Sequence, residues 1–183
     1  MNNRLTKLKK KQQFVKIYIS DADDVAITHF SGIVLDHNKD FVMMLDFHDF
    51  RSDGYVVIRK KDIYEIKRTK NEKFLQEIME KEGILKESFK HLKTISLSTM
   101  ERMFKQLKEK GLPIIIERRY KDEDIFQIGP IDSIEKKVVR IRYFNARGEY
   151  DHKPVRSNFK TITFFRVGDL YSELSHKYAR IVK

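Results

Sequence analysis

Lys136, Lys137, Arg140 and Arg142 crowd one short stretch of this chain. Arg140 and Arg142 alternate with Val139, Ile141 and Tyr143. In a strand, successive side chains point to opposite faces, so both guanidiniums share the face away from the apolar residues. Arg147, His152, Lys153, Arg156 and Lys160 follow, with Tyr150 and Phe159 among them. Cations for phosphates and rings for bases are what single-stranded nucleic acid requires of a surface. The same residues also fit a solvated basic face whose aromatics turn inward. A second basic group is Arg59, Lys60, Lys61 and Arg68, and Arg166 stands in a setting like that of Arg59.

Other chemistry finds little support. His29, His37 and His48 stand among Asp36, Asp46 and Asp49. The three histidines lack the i,i+4 pairing that lets one helix face hold a metal, and strand alternation scatters them. There is no cysteine, which removes thiolate nucleophiles, disulfides and cysteine-ligated zinc, and suits a cytoplasmic protein. No G-x-S-x-G, phosphate-binding P-loop or G-x-G-x-x-G occurs. The expectation is a protein with no catalytic residue, no metal and no cofactor.

Charge points to a polyanion as partner. The net charge is +11, unevenly spread. Residues 1 to 16 carry six Lys or Arg and no acid, and residues 145 to 183 carry eight against four acids. Residues 17 to 50 carry only Lys39 against seven Asp. Basic surface attracts polyanions through counterion release, so nucleic acid should avoid the side of Asp21, Asp23 and Asp24. The start, "MNNRLTKLKKKQQF", has no apolar run behind its bases and is not read as a secretory signal. It is either a nucleic-acid-seeking arm or a solubilising end. No run of about 20 apolar residues exists, so no membrane partner is expected.

The elements that must position these residues are mostly strands. "FVKIYIS", "VAITHFSGIVLD", "FVMMLDF" and the two halves of "YVVIRKKDIYEIKR" make about five, with turns at "DADD" and "HNKD". A helical segment follows. "NEKFLQEIMEKEG" places Phe74, Leu75, Ile78 and Met79 at helical spacing, ending at Gly83. "SLSTMERMFKQLKEKGLP" has a Ser98–Glu101 capping box, a stripe of Met100, Met103, Phe104 and Leu107, and Gly111 and Pro113 as terminators. Strands then return as "IIIERRY", "IFQIGPIDSI" and "VVRIRYF", with a turn at "KDED". "FKTITFFRVGDLYSEL" reads as the last two.

The halves resemble each other. At an offset of 97, Ile17, Ile19, Gly32, Lys39, Val42 and Phe47 meet Ile114, Ile116, Gly129, Lys136, Val139 and Phe144. Ten inserted residues then bring Arg59, Asp62 and Tyr64 of "IRKKDIY" onto Arg166, Asp169 and Tyr171 of "FRVGDLY". Loops accept such insertions. This predicts that Arg59 and Arg166 occupy equivalent places.

"GIVLDHNKDFVMMLD" and "VVIRKKDI" resemble the two motifs of the Sm and LSm-like small β-barrels. Gly32 stands at the motif glycine, Val34, Phe41 and Leu45 at its apolar positions, Asp46 at its closing acid and Arg59 at its arginine. Gly129, Ile131, Val138 and Arg166 take the same places in the second half. The resemblance implies a mainly β fold with a helical insert: two Sm-like five-stranded barrels. The division expected is a basic arm (1–13), barrel 1 (14–70), a helical linker (71–111) and barrel 2 (112–183) with a longer loop at 145–158. It also implies RNA as partner, or self-association into a ring through sheet edges. The base-holding Asn of RNA-binding members is replaced by Val42 and Val139, and the glycine after the arginine by Lys60 and Val167. Arg59 and Arg166 either stack on a base, or each pairs with the Asp three residues on. The expected function is an RNA-binding accessory or regulatory protein, with an interaction scaffold as the alternative.

Overall fold

The computed structural model describes residues 1–19, 28–90, 92–118 and 125–181, so the turns expected at "DADD" and "KDED" lie outside the described residues. The chain forms two compact units, Met1–Leu97 and Ser98–Lys183. The expected linker is therefore divided, its earlier helices belonging to the first unit and its last helix to the second.

The first unit opens with helix α1 (Asn2–Lys10), which buries Leu5 and Leu8 and exposes its bases. Strands β1 (Phe14–Ile19), β2 (Thr28–His37), β3 (Phe41–His48) and β4 (Arg51–Arg59) follow, then a 3-10 turn (Lys60–Asp62) and β5 (Ile63–Lys67). All pairings are antiparallel, in the order β5-β1-β2-β3-β4. Residues 41 to 47 of β3 are buried on both faces, which is why "FVMMLDF" is apolar without alternation. Helices α2 (Lys70–Lys81) and α3 (Ile84–Lys90) supply one cover, Met79 and Leu85 packing with Phe14, Ile33, Leu45 and Phe47. The capping box of this unit is at Thr69 and Glu72, where the Glu72 carboxylate accepts from the Thr69 backbone N–H at 2.6 Å.

The second unit opens with α4 (Met100–Glu109), whose stripe Met100, Met103, Phe104 and Leu107 is buried. Its N-cap is Thr99, not Ser98, and Glu101 pairs with Lys105 at 2.7 Å instead of closing a box. Strands β6 (Ile114–Arg118), β7 (Ile125–Gly129), β8 (Ile131–Glu135), β9 (Val138–Ile141) and β10 (Val155–Asn158) follow. A 3-10 turn (Phe159–Thr161) leads to β11 (Phe164–Val167) and helix α5 (Leu170–Tyr178). The pairings are β11-β6-β7 and, separately, β10-β9-β8.

No closed barrel forms among the described residues, which corrects the expected pair of five-stranded Sm-like barrels. In the first unit β4 and β5 stand at opposite ends of the five-strand order and do not pair with each other. Helices bury the sheet face, so closure is not needed to bury it. In the second unit the strand corresponding to β2 breaks at Pro130 into β7 and β8. Proline has no N–H for the ladder and cannot continue a central strand.

The equivalence of Arg59 and Arg166 is also corrected. Arg59 ends β4, and Asp62 and Tyr64 belong to the 3-10 turn and β5 that follow. Arg166 lies within β11, and Asp169 caps α5, accepting from the Ser172 N–H at 2.8 Å. The last part of "FKTITFFRVGDLYSEL" is thus a helix rather than a strand. The segment that matches β4, turn and β5 is instead β10, the turn at Phe159–Thr161 and β11. The glycines at offset 97 do correspond. A Cβ on Gly32 would lie 1.8 Å from the Leu45 carbonyl oxygen, and one on Gly129 2.2 Å from that of Arg142, thirteen residues further on in both units.

Candidate nucleic-acid interface

The sheet β10-β9-β8 sorts its side chains as alternation predicts. Val139, Ile141 and Ser157 are buried, and the Ser157 hydroxyl donates to Gln127 at 2.7 Å. Arg140 and Arg156 stand on the outer face, directly opposite each other in register. Like charges placed so closely destabilise a sheet. Glu135 offsets part of this, its carboxylate accepting from the Arg140 Nε at 2.9 Å. That bond, the Arg140 charge and, more weakly, Arg156 lower the Glu135 pKa. The pair is solvent-exposed and contributes little energy, so an incoming phosphate competes with Glu135 at small cost.

More cations stand at the end of this face. The turn between β8 and β9 carries exposed Lys136 and Lys137, the latter with φ +66°. The Lys137 carbonyl accepts from the Phe159 N–H at 2.9 Å, which brings exposed Lys160 to the same end. Arg140, Arg156, Lys136, Lys137 and Lys160 therefore form one basic surface, where Glu135 is hydrogen-bonded to Arg140 and exposed Asp132 of β8 acts on the same guanidinium more weakly.

Arg142 and Arg147 are not on it. β9 ends at Ile141, so the expected alternation through Arg142 and Tyr143 does not continue. Arg142 is exposed over the Tyr150 ring at 5.0 Å, and the Tyr150 hydroxyl meets His176 Nδ1 at 2.8 Å. Arg147 Nη2 reaches Glu149 at 3.0 Å, and Lys153 is exposed further along the loop.

In the first unit the structure commits several predicted binders to the fold. Lys60 is buried, its ammonium donating to Asn2 Oδ1 at 2.8 Å and to the Asn38 carbonyl, with His37 Nδ1 at 3.3 Å. Burial lowers its pKa, against the opposing effect of Asp40. Arg68 donates to the Phe14 carbonyl at 3.2 Å. Arg59 lies 5.5 Å from the Phe41 ring centroid, beside Asp62, whose pKa burial raises against the pull of Lys61 and Arg59. Lys61 is exposed. In the second unit half-buried Arg166 lies 6.0 Å from the Phe164 ring. The structure thus separates the second-unit candidates into two basic groups, sets Arg166 apart from both on β11, and turns Lys60 and Arg68 inward.

Lys60 also makes His37 a pH-sensitive joint. An ammonium only donates, so Nδ1 of His37 must accept and the imidazole must be neutral, its Nε2–H donating to the Thr6 hydroxyl at 3.0 Å. Burial, then the Lys60 charge, lowers its pKa; Asp36 opposes and Lys9 assists. The unfolded chain therefore binds more protons below the ordinary histidine pKa of about 6.5, and stability falls with acidification through that range. His29 and His176, also lowered by burial, act in the same direction. Thermal melts at neutral and mildly acidic pH should show this loss, and H37Q should reduce it. An equal loss in H37Q would remove His37 from the account.

Lys177 and Tyr178 lie in the last turn of α5, beyond the stretch that reads as strand, and no sequence expectation names them. The spacing Leu170, Leu174, Tyr178 behind Asp169 is the helical signal that marks them.

Among the described residues no helix is long and apolar enough to cross a membrane, and no group of His, Asp or Glu could hold a metal. No family model, curated protein or solved structure matches the chain.

Proposed function

We propose that the protein binds single-stranded nucleic acid, RNA in the first instance, as a cytoplasmic accessory or regulatory factor, with phosphates on the outer face of β8–β10. The observation that carries the reading is the register pair Arg140–Arg156. Two guanidiniums facing each other on a solvated sheet are a stability cost that a bound phosphate removes. Lys136, Lys137 and Lys160 extend the positive surface along one edge. The resemblance to Sm and LSm-like proteins supports RNA over DNA. The valines at positions 42 and 139, where that family's base-holding Asn is expected, point to weak sequence preference.

Titration of a mixed-sequence RNA at two salt concentrations tests the reading. Each neutralised phosphate of a single strand contributes about −0.7 to the slope of log K against log salt. The R140Q/R156Q double variant should therefore show a slope shallower by about 1.4. An unchanged slope would move the site to Arg142, Arg147 and Lys153 or to the basic face of α1. No binding at low salt would replace the reading with a protein-interaction scaffold.

A further inference from the structure

Helix α5 leaves Leu170, Leu174 and Tyr178 exposed at spacings of four residues, so they share one face. Tyr178 is 71% exposed and Leu174 47%. Against this face lies a groove of about 320 Å³, walled on its other side by the turn Asn145–Gly148. Its volume is at the lower end for small-molecule sites.

The groove is built rather than incidental. The Asn145 side-chain oxygen accepts from the backbone N–H of Arg147 at 2.9 Å and of Glu149 at 3.1 Å. Gly148 holds the turn at φ +71°, a conformation other residues rarely adopt, and it lies against the end of α5, where a Cβ would be in ordinary contact 3.7 Å from the Ala179 Cα. The Arg180 N–H donates to the Gly148 carbonyl at 2.8 Å, and the Tyr150 N–H to the Arg180 carbonyl at 3.1 Å. These bonds hold both walls in place before any ligand arrives, which reduces the ordering cost of binding.

Its chemistry is a ring beside cations. Lys177 Nζ stands 5.3 Å from the Tyr178 ring centroid. Arg147, 79% exposed, opens onto the groove, and its carboxylate partner Glu149 also feels the charge of Arg180. Leu174 supplies an apolar floor. An aromatic face, an apolar floor and cations in excess of the Glu149 carboxylate suit a planar base joined to a phosphate better than an uncharged apolar peptide.

We infer that this groove is a base-stacking subsite for single-stranded RNA, with one base on Tyr178 and Leu174 and the adjoining phosphate at Arg147 and Lys177. This rests on the nucleic-acid reading above and adds a point at which bases, not only phosphates, are held.

The test uses the full-length protein with two oligoribonucleotides of equal length, one with bases and one abasic. Tyr178→Ala should weaken binding of the base-containing strand about tenfold or more and leave the abasic strand unaffected. Tyr178→Phe, which keeps the ring, should bind as the parent does. Equal affinity of the parent and Tyr178→Ala for the base-containing strand would overturn the subsite while leaving the β8–β10 reading intact. Failure of the parent to bind either strand would overturn both. A Leu174→Ala/Tyr178→Ala variant that binds RNA normally but loses self-association in sedimentation would make the face an interface between copies and overturn the subsite.

Discussion

Gly32→Ala and Gly129→Ala should each destabilise the protein by more than about 4 kcal/mol, the range reserved for severe local conflicts. The alanine Cβ would sit 1.8 Å from the Leu45 carbonyl oxygen in one case and 2.2 Å from the Arg142 carbonyl oxygen in the other. Neither obstacle is a flexible side-chain end. Leu45 is fixed in the β2–β3 ladder opposite Ile33, and the Arg142 N–H is bonded to the Pro130 carbonyl at 3.0 Å. Relief would require the strands to separate, with loss of pairing on both sides. Gly129 carries a second obstacle in its φ of +148°, a region L side chains rarely adopt. Gly83 and Gly111 are the controls. They have φ +70° and +63°, with no atom within 4 Å of where a Cβ would lie, so alanine there should cost only about 1 kcal/mol through backbone strain. Urea melts of the four variants would separate these effects. Parent-like midpoints for Gly32→Ala and Gly129→Ala would mean that the strands do not approach as described.

These glycines also show what a single sequence reveals. Their offset of 97 was legible because close approach leaves a glycine in both units, and Lys39 and Lys136 at the same offset fall in corresponding turns between strands. The R-x-x-D-[IL]-Y phrase misled, because identical letters served different ends. Asp62 sits in a 3-10 turn between strands and Asp169 caps a helix. Phe164, Phe165 and Val167 favour a strand, but that preference ends at Gly168, and Asp169 caps α5. Barrel closure was not legible, since it depends on whether strands distant in sequence meet, and α2 and α3 bury the first sheet without it. For the candidate site, alternation found Arg140, but its partner Arg156 lies across a loop whose length hides the register. Lys60 looked like a free cation because nothing local indicates that Asn2, His37 and Asn38 converge on its ammonium.

Phe104→Ala should cost about 3–5 kcal/mol, while Phe74→Ala should stay within roughly 0.5 kcal/mol of the parent. Both phenylalanines occupy helices with apolar residues at helical spacing, and sequence gives them equal standing. Burial separates them. Phe104 is 0% exposed, its ring centroid 5.5 Å from that of Phe159 and 5.1 Å from that of Phe165. Truncation there removes transfer energy and two ring–ring contacts, and leaves a cavity between a helix, a 3-10 turn and a strand that cannot easily collapse. Phe74 is 62% exposed; the inward side of α2 is formed by Glu72, Gln76 and Met79. Gln76 is held there because its side-chain oxygen accepts from the Phe14 N–H at 2.9 Å, its amide donates to the Gln12 carbonyl at 3.2 Å, and burial is thereby compatible with a polar group. Denaturant midpoints at equal m-value would give both numbers. Should Phe104→Ala be too unstable to purify, Phe104→Leu, which keeps most of the apolar volume, should retain a folded protein weakened by about 1.5 kcal/mol. A parent-like midpoint for Phe104→Ala would show that α4 is not packed through its apolar stripe, and a large loss for Phe74→Ala would show that α2 presents a different face to the sheet.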